Sequence, residues 1–219
     1  LEHRDYLGNT LSQIAREKAG IIKKKTPVIT GVKQSPAISV VKEAAKKKSA
    51  PLYRYGKEFK VKRHKSGGFS YYGIAHCWHN LQTRLVGNHQ IDNSALVLAA
   101  IELLKQKNVS LSVQNIKKGL ASMHWPGRLE IVSENPCVIL DGAHNLIAAR
   151  NLAKFLSENL PHRRITLVVG ILDDKPYGAM LKSLLPVCSR AIITRAKTDR
   201  ALAPQRLYAA AKKIIKDVT

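Results

Sequence analysis

From Cys137 onward the chain alternates short apolar runs with amphipathic stretches, and no other feature of the sequence constrains the fold as much. Cys137-Val138-Ile139-Leu140 reads as a strand that stops at Asp141-Gly142, residues 146–159 carry helical periodicity, and residues 165–170 form a second apolar run. A helix over 177–185, a strand over 190–194 and a helix-like stretch over 207–216 continue the series. Strands separated by helices pair in parallel through crossovers, so an open, mostly parallel sheet with flanking helices is expected. Ligand groups collect at the carboxyl ends of such strands, which makes Asp141 to Asn145 a candidate site.

The first half mixes two patterns. Thr10 is placed to cap a helix over 11–20, with Leu11, Ile14 and Ala15 on one face and Lys18, four residues after Ile14, sharing it. A strand over 27–31, a helix over 36–48 and a strand over 51–55 suggest a parallel crossover. Residues 59–85 read as a hairpin or meander around Gly67-Gly68 and Tyr72-Gly73. Helices then follow over 91–105 and 112–123, the second opening on a Ser cap. Trp125-Pro126-Gly127 breaks the helical pattern, which places a domain boundary between residues 1–126 and 127–219.

Charge and cysteine content narrow the class. Lys plus Arg number 37 against 15 Asp plus Glu, a net charge of +22, which favours anionic partners. The basic faces of an enzyme handling small anions explain this better than nucleic-acid binding. Aromatic residues are only 5% of the chain, and none interleaves with Lys23-Lys24-Lys25 or Lys46-Lys47-Lys48 as a stacking platform would. No apolar run approaches the roughly 18 to 20 residues of a membrane span, and the first residues lack the order of a signal peptide. A soluble, cytoplasmic protein with no membrane partner is therefore expected. Cys77, Cys137 and Cys188 lack metal or disulfide spacing and read as reduced thiols. The chain starts at Leu1 and stops just after a helix-like stretch, so both ends read as cut.

Four patches, in order, carry a resemblance. They are Leu1-Glu2-His3-Arg4-Asp5-Tyr6-Leu7-Gly8 running on through Glu17-Lys18-Ala19-Gly20-Ile21, Leu85-Val86-Gly87-Asn88-His89-Gln90-Ile91-Asp92-Asn93-Ser94-Ala95, Pro126-Gly127-Arg128-Leu129-Glu130, and Leu140-Asp141-Gly142-Ala143-His144-Asn145. Together they resemble the folylpolyglutamate synthase and dihydrofolate synthase family of the Mur ligase superfamily. That resemblance implies an α/β fold: residues 1–126 as the remainder of a P-loop ATPase-like domain, and residues 127–219 as most of a Rossmann-like glutamate-ligase domain. It also implies ATP and Mg2+ as cofactors, L-glutamate with folate or dihydropteroate as substrates, and a monomer. The reaction implied is ATP-dependent amide formation through an acyl phosphate.

The same resemblance assigns residues. His3 matches a magnesium ligand, although Glu2 stands where the family has aspartate. Lys18 matches a lysine that is carbamylated and holds metal, a role that requires the neutral amine and would gain from burial beside Ile14; a snorkelling lysine is the alternative. Asn93 matches an adenine contact near a helix start, where Asn is also a common cap. Arg128 matches an ATP-phosphate contact, with an ion pair to Glu130 as the alternative. Asp141 matches a nucleotide contact, or simply forms a turn with Gly142. His144, with Asn145, resembles a residue near the acyl phosphate and glutamate. The family's Gly-Thr-Asn-Gly-Lys-Gly-Ser loop has no counterpart, since Gly67-Gly68-Phe69-Ser70 lacks the lysine. This polypeptide alone is therefore expected to be inactive. Two readings compete: another Mur-type ligase of cell-wall synthesis, and a basic nucleic-acid-binding module.

Overall fold

A computed structural model of the chain describes residues 10–65, 67–105, 109 and 111–219. They fall into two units that meet in sequence between Trp125 and Pro126. His3 and its neighbour Glu2 lie outside the described residues.

In the first unit Thr10 opens helix α1 (Leu11–Ala19) through a reciprocal cap. Its hydroxyl accepts from Gln13 N–H at 3.2 Å, and Gln13 Oε1 accepts from Thr10 N–H at 3.1 Å. Strand β1 (Val28–Thr30), helix α2 (Ser35–Lys47, with a proline in its first turn) and strand β2 (Leu52–Arg54) complete the crossover. β1 and β2 pair in parallel with Val28 opposite Leu52. Ala19, Ile22, Ala45 and Ala50 form the small core where α1 meets α2.

An antiparallel meander follows: β3 (Lys60–Arg63), β4 (Phe69–Tyr72) and β5 (Cys77–Leu81), with a register shift between β4 and β5. Helix α3 (Asn88–Lys105) lays Ala95, Leu98 and Ala99 against Phe59, Phe69, Tyr71, Trp78 and Leu81. Helix α4 (Val113–Ser122), capped by the Ser112 hydroxyl, adds Ile116 and Leu120. α3 begins three residues before the start expected from sequence. Gly87 is left-handed at φ 106° and makes the break, and Gln90 N–H already bonds to its carbonyl at 2.9 Å.

α3 is tied near both ends. At its start Tyr55 Oη donates to Asp92 Oδ1 at 2.6 Å, while Arg63 donates to the Asn88 carbonyl at 3.2 Å and pairs with Asp92. At its far end the fully buried Glu102 accepts from Tyr71 Oη at 2.6 Å and from the N–H groups of Ile74 (2.7 Å), Ala75 (3.1 Å) and His76 (2.6 Å). Gly73 begins this turn because nothing larger fits: a Cβ there would lie 2.2 Å from Glu102 Oε2.

The second unit starts with a hairpin, β6 (Glu130–Glu134) and β7 (Cys137–Leu140), paired antiparallel. Helix α5 (Leu146–Asn159), strand β8 (Thr166–Val169), helix α6 (Tyr177–Leu184), a 3-10 turn (Leu185–Val187), strand β9 (Arg190–Ile193) and helix α7 (Pro204–Lys212) follow. β8 and β9 are parallel, and Ala191 extends the sheet by bonding Asp217 and Thr219 at 3.0 Å each. Ala149, Met180, Leu181, Leu184, Leu207 and Ala211 pack its core from three helices. The α/β class expected from the alternation is the one observed, and β6 is an addition to it. α7 starts at Pro204, whose fixed φ suits a first helical turn, and it stops before the 207–216 stretch ends.

Candidate functional site

Arg128 projects from a turn fixed on both sides of it. Gly127 N–H donates to Glu130 Oε2 at 2.7 Å, Leu129 N–H donates to Asp141 Oδ2 at 3.0 Å, and Gly142 N–H donates to the Gly127 carbonyl at 2.7 Å. Gly127 (φ 69°) and Leu129 (φ 50°) are both left-handed, a conformation that costs a branched residue about 1 kcal/mol or more and persists only where its surroundings impose it. The guanidinium itself is exposed and, among the described residues, has no ion pair. Glu130 does not take it, because its carboxylate turns to the Gly127 backbone.

Asp141 works on two fronts. Its Oδ2 holds Leu129, and its Oδ1 accepts from Ala143 N–H at 2.9 Å, so the carboxylate staples the Arg128 turn to the loop that follows β7. In that loop His144 Nδ1 lies 2.8 Å from the Gly142 carbonyl. A carbonyl only accepts, so Nδ1 carries a proton and Nε2 is the ring nitrogen left exposed. Asn145 caps α5 by accepting from Ala148 N–H at 2.7 Å, which commits its side-chain oxygen to the helix. Beyond β8, Lys175 (2.7 Å) and Arg200 (3.0 Å) flank Asp174 and hold its carboxyl below the usual range.

The remaining candidates belong to the first unit. Lys18 stands at a cleft of about 430 Å³ lined mainly by Ile14, Ala15, Ala19, Ile22, Val28 and Val41, with Lys23 as a second cation. Its side chain is exposed, contrary to the burial expected beside Ile14. The buried stripe of α1 is narrow and consists of Ala15 and Ala19, and Lys18 flanks it. Asn93 sits inside α3 rather than at its start, because the helix begins at Asn88. Exposed on that helix, it donates to Gln90 Oε1 at 3.1 Å and caps nothing. Its neighbour Asp92 meets Tyr55, whose phenol is pushed up to about 12 by burial and by that carboxylate.

Arg128, Asp141 and His144 are thus brought together within one unit, while Lys18 and Asn93 occupy separate helices of the other. The turn-holding role of Glu130 and the buried seat of Glu102 were missed by sequence reasoning; nothing in the local pattern marks either. Among the described residues no three His, Cys, Asp or Glu side chains converge. A lone Lys18 does not make the oxygen shell that Mg2+ demands, so the described residues by themselves do not fit that ion. Among the described residues no helix is long and apolar enough to cross a membrane.

Residues 127–219 match the family model described as Mur ligase, glutamate ligase domain. Over 216 residues the chain is 36% identical to the dihydrofolate synthase/folylpolyglutamate synthase of Bacillus subtilis, covering 96% of this chain and 50% of that protein. The structure of Escherichia coli FolC in complex with DHPP and ADP superposes with a TM-score of 0.87 at 30% identity, over 100% of this chain and 50% of that one. Mycobacterium tuberculosis folylpolyglutamate synthase complexed with ADP gives the same TM-score at 29% identity, over 100% of this chain and 52% of that one. The chain spans about half the length of the curated relatives it matches.

Proposed function

Because the chain belongs to the folylpolyglutamate synthase and dihydrofolate synthase family of Mur ligases, we propose that it forms part of an ATP-dependent ligase joining L-glutamate to folate, to dihydropteroate, or to both. The observation that carries this reading is the likeness along essentially the whole chain to ligases of this one family, two of them with structures in complex with ADP. In this reading residues 1–126 belong to the ATPase domain and residues 127–219 are the glutamate-ligase domain of a cytosolic, monomeric enzyme.

The chemistry has two steps. A carboxylate oxygen of the acceptor attacks the γ-phosphorus of ATP, releasing ADP and leaving an acyl phosphate. The glutamate nitrogen then attacks the acyl carbon, phosphate departs with its bonding pair, and the nitrogen loses a proton. Charge gathers on the transferring phosphoryl oxygens, which is where a permanently cationic, pre-aimed Arg128 contributes most. Asp141 keeps the turn that aims it and meets the nucleotide, and Asn93 offers its amide to adenine. His144, whose Nδ1 is taken by the Gly142 carbonyl, presents Nε2 to the proton that the amine sheds. Lys18 at the cleft rim carries the carbamate: its nitrogen bonds the carbon of carbon dioxide, one C=O pair moves onto oxygen, and a proton leaves the nitrogen to water. Magnesium, when bound by the complete protein, would neutralise phosphate charge; the family resemblance assigns His3 and the Lys18 carbamate to holding it.

The test is incorporation of labelled glutamate by the protein encoded by the complete reading frame. Incorporation that requires both ATP and dihydropteroate or tetrahydrofolate is expected. ATP hydrolysis driven instead by a muramoyl precursor would move the chain to a cell-wall ligase.

A further inference from the structure

The two lysine runs, 20 residues apart in sequence, are one surface in the fold. Lys25 N–H donates to the Lys48 carbonyl at 2.9 Å, which sets the turn carrying Lys23, Lys24 and Lys25 against the end of α2 carrying Lys46, Lys47 and Lys48. All six are exposed. Lys47 pairs with Glu43 at 2.8 Å; among the described residues the other five have no ion pair. Glu17 and Glu43 are the acidic residues on the two helices packed there, which also carry Arg16 and Lys42.

Compensation of the α2 carboxyl-terminal dipole accounts for two or three lysines in its last turn. It does not account for the second run, and crowding six like charges destabilises the folded state. The joint is also strained. Lys25 (φ 55°) and Ser49 (φ 48°), two of the four left-handed non-glycine residues described, flank the connecting bond, and the buried Ala45 and Ala50 anchor it from below. Residues held in such conformations gather at ligand clamps. The surface is continuous with the Lys18 cleft, since Lys23 lines that cleft as well.

We infer that this surface binds a linear polycarboxylate, an oligoglutamate chain whose successive carboxylates cross the six lysines. The choice of ligand rests on the ligase reading, in which such a chain is substrate and product. The side chains favour it over nucleic acid. Both runs are pure lysine and offer no aromatic face on which a base would stack.

The experiment is fluorescence anisotropy of labelled penta-L-glutamate with the 219-residue chain at low ionic strength. Wild type should bind it at least about tenfold more tightly than glutamate alone displaces it, and added salt should weaken binding. Lys24→Glu with Lys48→Glu should cost about tenfold or more in affinity, whereas Lys60→Glu with Lys62→Glu, the same charge change on β3, should cost less than about twofold. Circular dichroism checks that each variant is folded. Equal losses in the two variants, or no binding by wild type, would overturn the proposal. So would a DNA duplex that binds more tightly than pentaglutamate at the same salt. The ligase reading fails separately, through absent turnover by the complete protein, so binding without turnover sinks that reading and leaves this surface standing.

Discussion

Two turns of this protein are held by carboxylates, and they are held in different surroundings. Residues 73–76 hang on Glu102, which has no exposed surface and accepts three backbone N–H groups and a phenol. Residues 127–129 hang on Glu130 and Asp141, both half-buried, and between those holds the chain presents an exposed arginine. A dry carboxylate with many partners fixes a fold, because each partner left without it keeps its full desolvation penalty. A carboxylate in partial contact with water stabilises less, and its effect passes to whatever the turn presents. The first turn belongs to stability; the second, in the proposed ligase reading, belongs to function.

Glu102→Ala should therefore have the largest effect, a loss of about 3 to 5 kcal/mol in urea-unfolding stability, since four donors lose their acceptor at once. Glu102→Gln, which keeps one acceptor oxygen, should cost about 1 to 3 kcal/mol. A loss under 1 kcal/mol for the alanine form would break the comparison at its stronger end. Next comes Arg128→Ala in the complete protein, where turnover should fall about 100- to 1,000-fold with little change in the folate KM and none in unfolding midpoint. A raised KM at unchanged kcat would place Arg128 in ground-state binding instead.

Asp141→Asn sharpens the contrast. The amide can accept only one of the two N–H groups, so stability should fall by about 1 kcal/mol while kcat falls by far more, as the left-handed Leu129 relaxes and Arg128 swings off its line. Equal fractional losses in the Glu102 and Asp141 variants would erase the distinction.

The smallest effect concerns Asp174. Lys175 and Arg200 depress its folded pKa below the ordinary 3.8, so its contribution is present above that value and is lost as pH falls through the lower folded one. It is partly exposed and screened, so Arg200→Ala should remove less than about 1 kcal/mol at neutral pH and should flatten stability only below about pH 4. A change on the alkaline side would contradict this assignment.

The elements were legible where local chemistry decides them. The Thr10 and Ser112 caps, the apolar run at Cys137–Leu140 and the periodicity of Leu146–Asn159 all express short-range preferences. β6 was not legible: Glu130 and Glu134 bracket only two apolar residues, and the strand exists because β7 pairs with it. Glu102 is the sharper case. It lies on the face of α3 shared by Leu98 and Ala99, where a carboxylate reads as an error until a turn 28 residues earlier supplies its donors. Asn93 was placed at a helix start because the positive φ of Gly87, which moves that start to Asn88, is not written in composition. Arg128, Asp141 and His144 were legible as residues through family resemblance; the carboxylate holds that join their turns were not.

Transfer of oxygen from acceptor to phosphate tests the central claim most directly. The complete protein would be given ATP, glutamate and a folate acceptor whose reacting carboxylate carries oxygen-18, and the inorganic phosphate released would be read by mass spectrometry. An acyl phosphate requires the acceptor oxygen to stay with phosphorus when the amide forms, so each phosphate should carry one heavy oxygen. Phosphate free of the label, with glutamate still incorporated, would contradict the mechanism proposed for this chain.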